Sequence, residues 1–419
     1  MDARTRDGRA RLRPAMLAAA CAAAVAWAAG VRAGEPEFSL VGYGDLRAVV
    51  PSGERSGFDG GLGKLRFDDS GRFGPNAHAE AVAVGRVAVA PVFGATATLR
   101  AAPDQRTPVD VLEAYARLRP VSDRTWQWTI KTGAFYPPIS LENESVGWSS
   151  PWTITPSAIN SWVGDELRTI GGESEVEWRY ATGRLVGTAA VYGWNDPAGV
   201  LIAERGWVFN DRPVGLLDRL RLPDAIAPAR RQRPPVEEDP YREIDDTPGW
   251  YAGLAWREDG VGRIALLYYD NEADPAARRK GQVAWRTRFG SAGIETYWGD
   301  VVILAQAMAG TTRFDPSPTF HSTTAFQSGY LLAGYYFGAF RVAARFDAFA
   351  TQETHPGTAT DLSERGQALT LSASWTPVRV LRLGVEAIGV HSVRVQRLTQ
   401  GEPAQADELQ LQLVARVFF

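Results

Sequence analysis

Apolar and polar residues alternate along most of this chain with a period of two. The last thirteen residues, Asp407 to Phe419, read DELQLQLVARVFF. Leu409, Leu411, Leu413, Ala415, Val417 and Phe419 share one face of a strand. Gln410, Gln412 and Arg416 share the other, with Val414 and Phe418 as exceptions. Such alternation is the signature of a strand with one apolar and one polar side. Segments of this kind, bounded by turn residues, occur at 38–49, 78–90, 93–101, 110–119, 126–136, 168–180, 184–194, 249–257, 261–270, 282–289, 292–311, 326–337, 339–351, 366–375, 380–394 and 407–419, sixteen in all. Most are about the 9–11 residues that a tilted strand needs to cross a bilayer.

The connections sort by parity. After the even strands they are tight, as at Pro91-Val92, Ser122-Asp123, Thr182-Gly183, Glu258-Asp259-Gly260, Gly290-Ser291, Gly338 and Thr376-Pro377. After the odd strands they are mostly long, at about 50–77, 102–109, 137–167, 195–248, 271–281, 312–325, 352–365 and 395–406. A soluble sandwich has no reason to sort its loops this way. A membrane barrel has short periplasmic turns and long extracellular loops. The fold class expected is therefore all-β: a transmembrane antiparallel up-and-down β-barrel of about 16 strands.

Face chemistry agrees. Trp126, Trp128 and Ile130 alternate with Gln127, Thr129 and Lys131. Phe340, Val342, Ala344 and Phe346 alternate with Arg341, Arg345 and Asp347. In 282–289 the apolar set is Val283, Trp285, Thr287 and Phe289, and the polar set is Gln282, Arg286 and Arg288. Apolar-out and charged-in gives a wet lumen. Trp126, Trp178, Tyr180, Trp250, Tyr251, Tyr268, Tyr269, Tyr335, Tyr336 and Trp375 lie near strand ends, where interfacial girdles form. The terminal strand, ending on Phe419, resembles the last strand of bacterial outer-membrane barrels, in which a terminal Phe is the assembly signal.

The amino terminus sets the compartment. Arg4, Arg6, Arg9, Arg11 and Arg13 precede an Ala-rich run from Ala15 to Gly30, then Val31-Arg32-Ala33. That is a cleaved signal peptide over 1–33, leaving 34–419 as the barrel. Cleavage removes the only cysteine, Cys21, and takes the formal charge from -3 to -7, with 39 basic against 46 acidic residues left. Such a composition excludes a nucleic-acid partner. No run after Gly34 approaches ~18 consecutive apolar residues. Any spanning structure must then be a closed barrel.

The stretch from Asp110 to Asn143, DVLEAYARLRPVSDRTWQWTIKTGAFYPPISLEN, is the most specific in the chain. Glu113, Ala114, Tyr115, Lys131, Gly133, Phe135, Pro137, Pro138, Ser140, Leu141 and Glu142, with Phe419, resemble the phosphate-selective (O/P type) family of outer-membrane porins. The resemblance implies a sixteen-stranded, typically trimeric channel with loops folded into the pore, arginines along the pore and a lysine ladder. Lys64, Lys131 and Lys280 are the only lysines here, so a general or differently selective porin fits better than a phosphate-selective one.

By its position as third long loop, 137–167 is the candidate pore-constricting loop, with Glu142, Glu144, Asp165 and Glu166 as its acidic side. The candidate pore-lining wall opposite is Arg117, Arg119, Lys131, Arg179, Arg286, Arg288, Arg341 and Arg345. Opposed charged rows orient polar solutes and tune ion preference; paired with one another, the same charges would only stiffen the wall. The 195–248 segment is the longest extracellular loop. Its Pro-rich Arg230–Asp246 stretch reads as a mobile surface segment, and Val214–Leu220 as one or two helical turns over the barrel mouth.

The function expected is an outer-membrane porin, a passive diffusion channel for small hydrophilic solutes or ions. A basic lumen in an acidic protein points to anion preference. The alternative is a non-conducting structural or adhesive barrel. No enzyme is expected: Gly-x-Ser-x-Gly and His-Glu-x-x-His are absent, so no catalytic, cofactor-binding or metal residues are assigned. The partners expected are outer-membrane lipid, the barrel-assembly machinery acting on Phe419, small hydrophilic or anionic solutes, and two further copies in a homotrimer.

Overall fold

A computed structural model describes residues 36–68, 76–122, 124–228, 232–355 and 361–419. The expected signal peptide, 1–33, together with Arg230 and Arg231, lies outside the described residues. Sixteen antiparallel strands, each hydrogen-bonded to its sequence neighbours, close into a barrel. They are β1 (Glu37–Ser52), β2 (Asn76–Ala90), β3 (Phe93–Ala101), β4 (Val109–Leu118), β5 (Trp126–Phe135), β6 (Thr169–Tyr180), β7 (Gly183–Gly193), β8 (Gly249–Glu258), β9 (Gly262–Asp270), β10 (Arg286–Trp298), β11 (Val301–Ser317), β12 (Phe320–Phe337), β13 (Phe340–Thr354), β14 (Glu364–Val378), β15 (Leu381–Arg394) and β16 (Gln405–Phe418). Closure pairs β1 with β16, from Tyr43 opposite Phe418 to Ser52 opposite Leu409. Phe419 completes it: its N–H donates to Gly42 O at 3.1 Å, and its carbonyl accepts from Gly42 N at 3.0 Å.

The apolar face of most strands points outward. Leu409, Leu411, Leu413, Val417 and Phe419 are exposed there, as are Phe340, Val342 and Phe346. At the turn end Trp126 stacks on Trp178 with centroids 6.2 Å apart, and Phe340 stacks on Phe337 and Trp375. At the loop end Trp250 lies 5.4 Å from Tyr268. Two girdles around an apolar band are the outer surface of a membrane barrel. Tyr251 and Tyr269, expected in the girdles, are instead buried inside the barrel at 1% and 2% exposure.

Two expected strand boundaries were misplaced, and the errors cancel in the count. The turn expected at Gly290-Ser291 does not exist, because β10 runs straight through it. The tight turn is at Gly299-Asp300, where Gly299 takes φ 59 and Trp298 stands exposed. Glycine supplies that positive φ without a Cβ clash. The long loop expected at 312–325 is a continuation of the ladder: Arg313 pairs with Thr323 and Phe314 with Ser322, leaving Pro318 and Thr319 as the connection.

Two long segments fold inward and fill the barrel, joined by residues 62–66 after β1, where Lys64 and Leu65 are buried. The first, between β5 and β6, carries α1 (Ala158–Glu166), all nine residues of which are buried. Ser157 caps it, its hydroxyl accepting from Asn160 N. The second, between β7 and β8, carries the short α2 (Val200–Glu204) and a two-stranded ladder of Leu220–Leu222 with Val236–Glu238. No helix forms over 214–220. The expected mobile surface segment is packed where it is described: Val236, Tyr241 and Ile244 are 1%, 6% and 3% exposed.

Candidate functional site in the barrel lumen

Inward folding decides the inner face. Trp162 of α1 meets Phe289 at 5.4 Å, Phe326 at 5.3 Å and Trp207 at 5.9 Å, so part of the inner wall is apolar. This overturns the register expected around 282–289. Thr287 and Phe289 face the lumen, at 0% and 1% exposure, and Arg286 and Arg288 face outward. Arg286 pairs with Glu272 and, at 3.3 Å, with Asp270. Arg288 is exposed on the outer surface. The assumption that charge marks the lumen face fails on β10, because α1 rather than water lies against it.

The other expected wall residues do turn toward the lumen. Arg345, fully buried on β13, is the anchor of the first inward loop. It donates to Glu142 Oε1 at 2.6 Å, Asp347 Oδ2 at 2.8 Å, Thr155 O at 2.8 Å, Pro156 O at 3.0 Å, Thr153 Oγ1 at 3.1 Å and Thr370 Oγ1 at 3.3 Å. Glu386 on β15 accepts Ile154 N at 2.6 Å and Thr155 N at 3.0 Å. Gln412 on β16 donates to Thr155 Oγ1 at 2.9 Å. Arg341 donates to Pro151 O and lies over the Trp152 ring. Lys131 donates to Glu173 Oε1 at 2.8 Å, and Arg179 pairs with Glu177. Arg117 and Arg119 are exposed at the turn end and make no side-chain ion pair among the described residues.

The expected acidic side of the loop is largely internal to the packing. Besides Arg345, Glu142 accepts from Thr153 Oγ1, Ser157 N and Asn160 Nδ2. Asp165 pairs with Arg205 of the second inward segment at 2.5 Å; burial raises its carboxyl despite that partner. Glu166 accepts Trp162 Nε1 at 2.5 Å and Leu201 N at 3.0 Å, tying α1 to α2. Burial pushes Glu166 up to about 7, against the pull of those donors. Glu144 pairs with Arg263 and is the half-exposed member. Glu142 and Glu144 do meet wall arginines, Arg345 and Arg263, but as direct ion pairs that pin the loop rather than as separated rows across an open passage.

A tight, charge-lined pocket lies between β1, β2 and β16 on one side and the two inward loops on the other. Asn143, Ser149, Asn160 and Asn210 face Tyr43, Arg47, Glu80 and Arg416 across a cavity of about 20 Å³, room for about one water. The charges sit on the wall. Arg47 donates to Asp45 at 2.7 Å and Glu80 at 2.5 Å, and Arg416 to Asp45 at 2.7 Å. Asp211, from the second inward segment, closes onto Arg47 and onto Arg66 at 2.7 Å. Burial works against its ionisation, but Arg47 and Arg66 hold the carboxyl below its ordinary value. The residues that sequence reasoning missed here are Asp45, Arg47 and Asp211. The first two were visible in β1, where Tyr43, Asp45 and Arg47 alternate with Gly42, Gly44 and Leu46. Asp211 had no such signal, because only the folded loop brings it to Arg47.

At the loop end Lys64, fully buried, pairs with Glu364, which also takes Arg394 at 3.1 Å. Burial brings Lys64 down to about 8, although Glu364 opposes the shift. Asp196, Glu243 and Asp245 gather carboxylate oxygens within 4.8 Å of one another. These carboxylates accept backbone N–H groups from Ile244, Asp245 and Trp194.

No family model matches the chain, and no curated protein matches it. Solved structures do. The outer-membrane channel DcaP of Acinetobacter baumannii superposes with a TM-score of 0.52 at 12% identity, over 93% of this chain and 99% of that one. An anion-selective porin from Comamonas acidovorans gives 0.51 at 10% identity, over 92% and 100%. A loop-deletion form of the Vibrio cholerae outer-membrane protein OmpT gives 0.51 at 8%, over 92% and 100%. The fold is that of the outer-membrane porins. Within this porin fold, the O/P-type resemblance of the β4–β5 hairpin rests on that hairpin and Phe419 alone.

Proposed function

We propose that this chain is an outer-membrane porin, a passive diffusion channel for small hydrophilic solutes with a preference for anions. In this reading the turn end is periplasmic, the loop end extracellular, and the native state a homotrimer exported by the 1–33 signal peptide. The observation that carries it is the charge of the lumen at the turn end. Arg86, Arg117, Arg119 and Arg257 line it by strand alternation and have no ion pair among the described residues. Arg86, Arg117 and Arg119 are exposed to water in the mouth. A water-filled mouth lined by unpaired arginines concentrates anions before the narrow passage.

A second reading has its own observation. Inward segments pack the lumen and leave only about 20 Å³ between them and the β1, β2 and β16 wall, which favours a barrel that does not conduct at rest, with a structural or adhesive role. Single-channel currents in a planar bilayer under a salt gradient separate the two. The porin reading expects steps, an anion-favouring reversal potential, and a shift of that potential toward zero in the double variant Arg117→Gln/Arg119→Gln. Folded, heat-modifiable protein that carries no current would overturn it in favour of the second reading.

A further inference from the structure

The outer surface of β8–β16 is hollowed. A groove of about 1320 Å³ runs across it, from Ala252 and Leu254 on β8 to Gln405 on β16. Two adjacent outward rungs of the sheet produce it. One rung runs Gly290, Ala309, Gln327, Ala350, Arg365; the next runs Ala292, Ala307, Gly329, Ala348, Gln367. The rung below returns to bulk, with Ile294, Leu331, Phe346 and Leu369 all exposed. The small side chains leave a notch whose walls lack partner atoms, and such a gap forfeits dispersion contacts unless something fills it.

The polar residues of the notch have a defined height. Ten residues separate Arg365 from Trp375, Gln327 from Phe337, and Arg288 from Trp298. At ~3.3 Å per residue and a tilt of about 40°, that is roughly 25 Å above the lower aromatic girdle, the height of the apolar band itself. Arg365 thus stands at the headgroup level of the leaflet on the loop side. Its neighbour Glu364 faces inward onto Lys64, so alternation turns Arg365 outward, where it is exposed. It makes no ion pair among the described residues. On this side Arg313 is matched by Asp315 at 2.8 Å, whereas Arg288, exposed at the same height, lies outside the groove.

We propose that this groove binds an anionic, phosphate-bearing lipid of the loop-side leaflet. Its phosphate sits on Arg365, with Gln327 and Gln367 beside it, and its acyl chains lie over Ala292, Gly329 and Ala348. Charge complementarity selects this occupant. The guanidinium fork matches a phosphate bidentately, and the apolar floor beneath it suits hydrocarbon. The assignment requires membrane insertion but not conduction, so it stands or falls apart from the channel reading.

The test compares the full chain with Arg365→Gln, Ala348→Trp and, as a control at equal height outside the groove, Arg288→Gln. Each is reconstituted in phosphatidylcholine vesicles with and without phosphatidic acid, extracted into detergent, and assayed for retained phosphatidic acid by native mass spectrometry. The expected result is retention by the parent chain and by Arg288→Gln. Arg365→Gln should bind about tenfold more weakly, for the loss of one charge-assisted contact. Ala348→Trp, which fills the floor without touching the charge, should lose retention as well. Equal retention by all four would overturn the proposal. So would groove variants that leave lipid unchanged but dissociate an oligomer, because a second copy would then be the occupant.

Discussion

Replacing Arg345 by Leu tests whether the first inward loop is held by the barrel wall. The guanidinium is fully buried and reaches six acceptors, four of them in that loop: Glu142, Thr153, Thr155 and Pro156. Removing one partner of a buried pair costs about 3–5 kcal/mol, because the other charge is left uncompensated. Glu142 keeps Thr153 Oγ1, Ser157 N and Asn160 Nδ2 as donors, which places the cost at the lower end. About 3 kcal/mol is roughly a 150-fold change in the ratio of docked to undocked loop. The ladders of β13 with β12 and β14 do not involve the side chain, so far-UV dichroism and heat-modifiability should be unchanged. Single-channel recordings should show larger or noisier steps. The double variant Arg345→Leu/Glu142→Gln should lie closer to the parent, since it removes one of the two carboxylates left without Arg345, Asp347 being the other. Parent-like conductance and noise in Arg345→Leu would refute the clamp. A double variant worse than the single would refute the stranded-charge account.

Two further outcomes are expected. Glu166 is raised from about 4.5 to about 7 by burial, so the folded state binds its proton more tightly than the unfolded chain does. Its contribution to holding α1 on α2 is then fully present below about 4.5 and lost as pH rises through about 7; Glu166→Gln should flatten the pH dependence of gating noise, and an unchanged profile would remove Glu166 as the cause. Gly42→Ala should weaken the closure of β1 on β16, because a Cβ there would meet Val82 O at 2.3 Å and the Phe419 ring at 2.4 Å. The expected cost is about 1–3 kcal/mol; the temperature at which heat-modifiability is lost should fall, and an unaltered midpoint would count against the contact.

The sequence alone determined the strands and most of the outer surface. A strand's side chains alternate by geometry, and lipid tolerates only apolar ones, so Leu409 to Phe419 and Phe340 to Phe346 could be oriented without a partner. Turn chemistry was legible where it was singular, as at Gly338. It failed at 290–300, where Gly290 and Gly299 were equivalent on paper and only the ladder to β11 separated them. The inner surface was decided by tertiary structure. Whether an inward position wants a charge or a ring depends on what the returning loops place against it. Phe289 faces Trp162, and Arg345 faces Glu142, though both lie on barrel strands with the same alternating grammar. The pairs that tie inward segments to the wall, Arg47 with Asp211 and Lys64 with Glu364, join residues 164 and 300 positions apart. No local pattern encodes such a contact. It exists because segments folded into the barrel reach a wall distant in sequence and exclude the water that would otherwise solvate each charge, leaving each to find its partner in the fold.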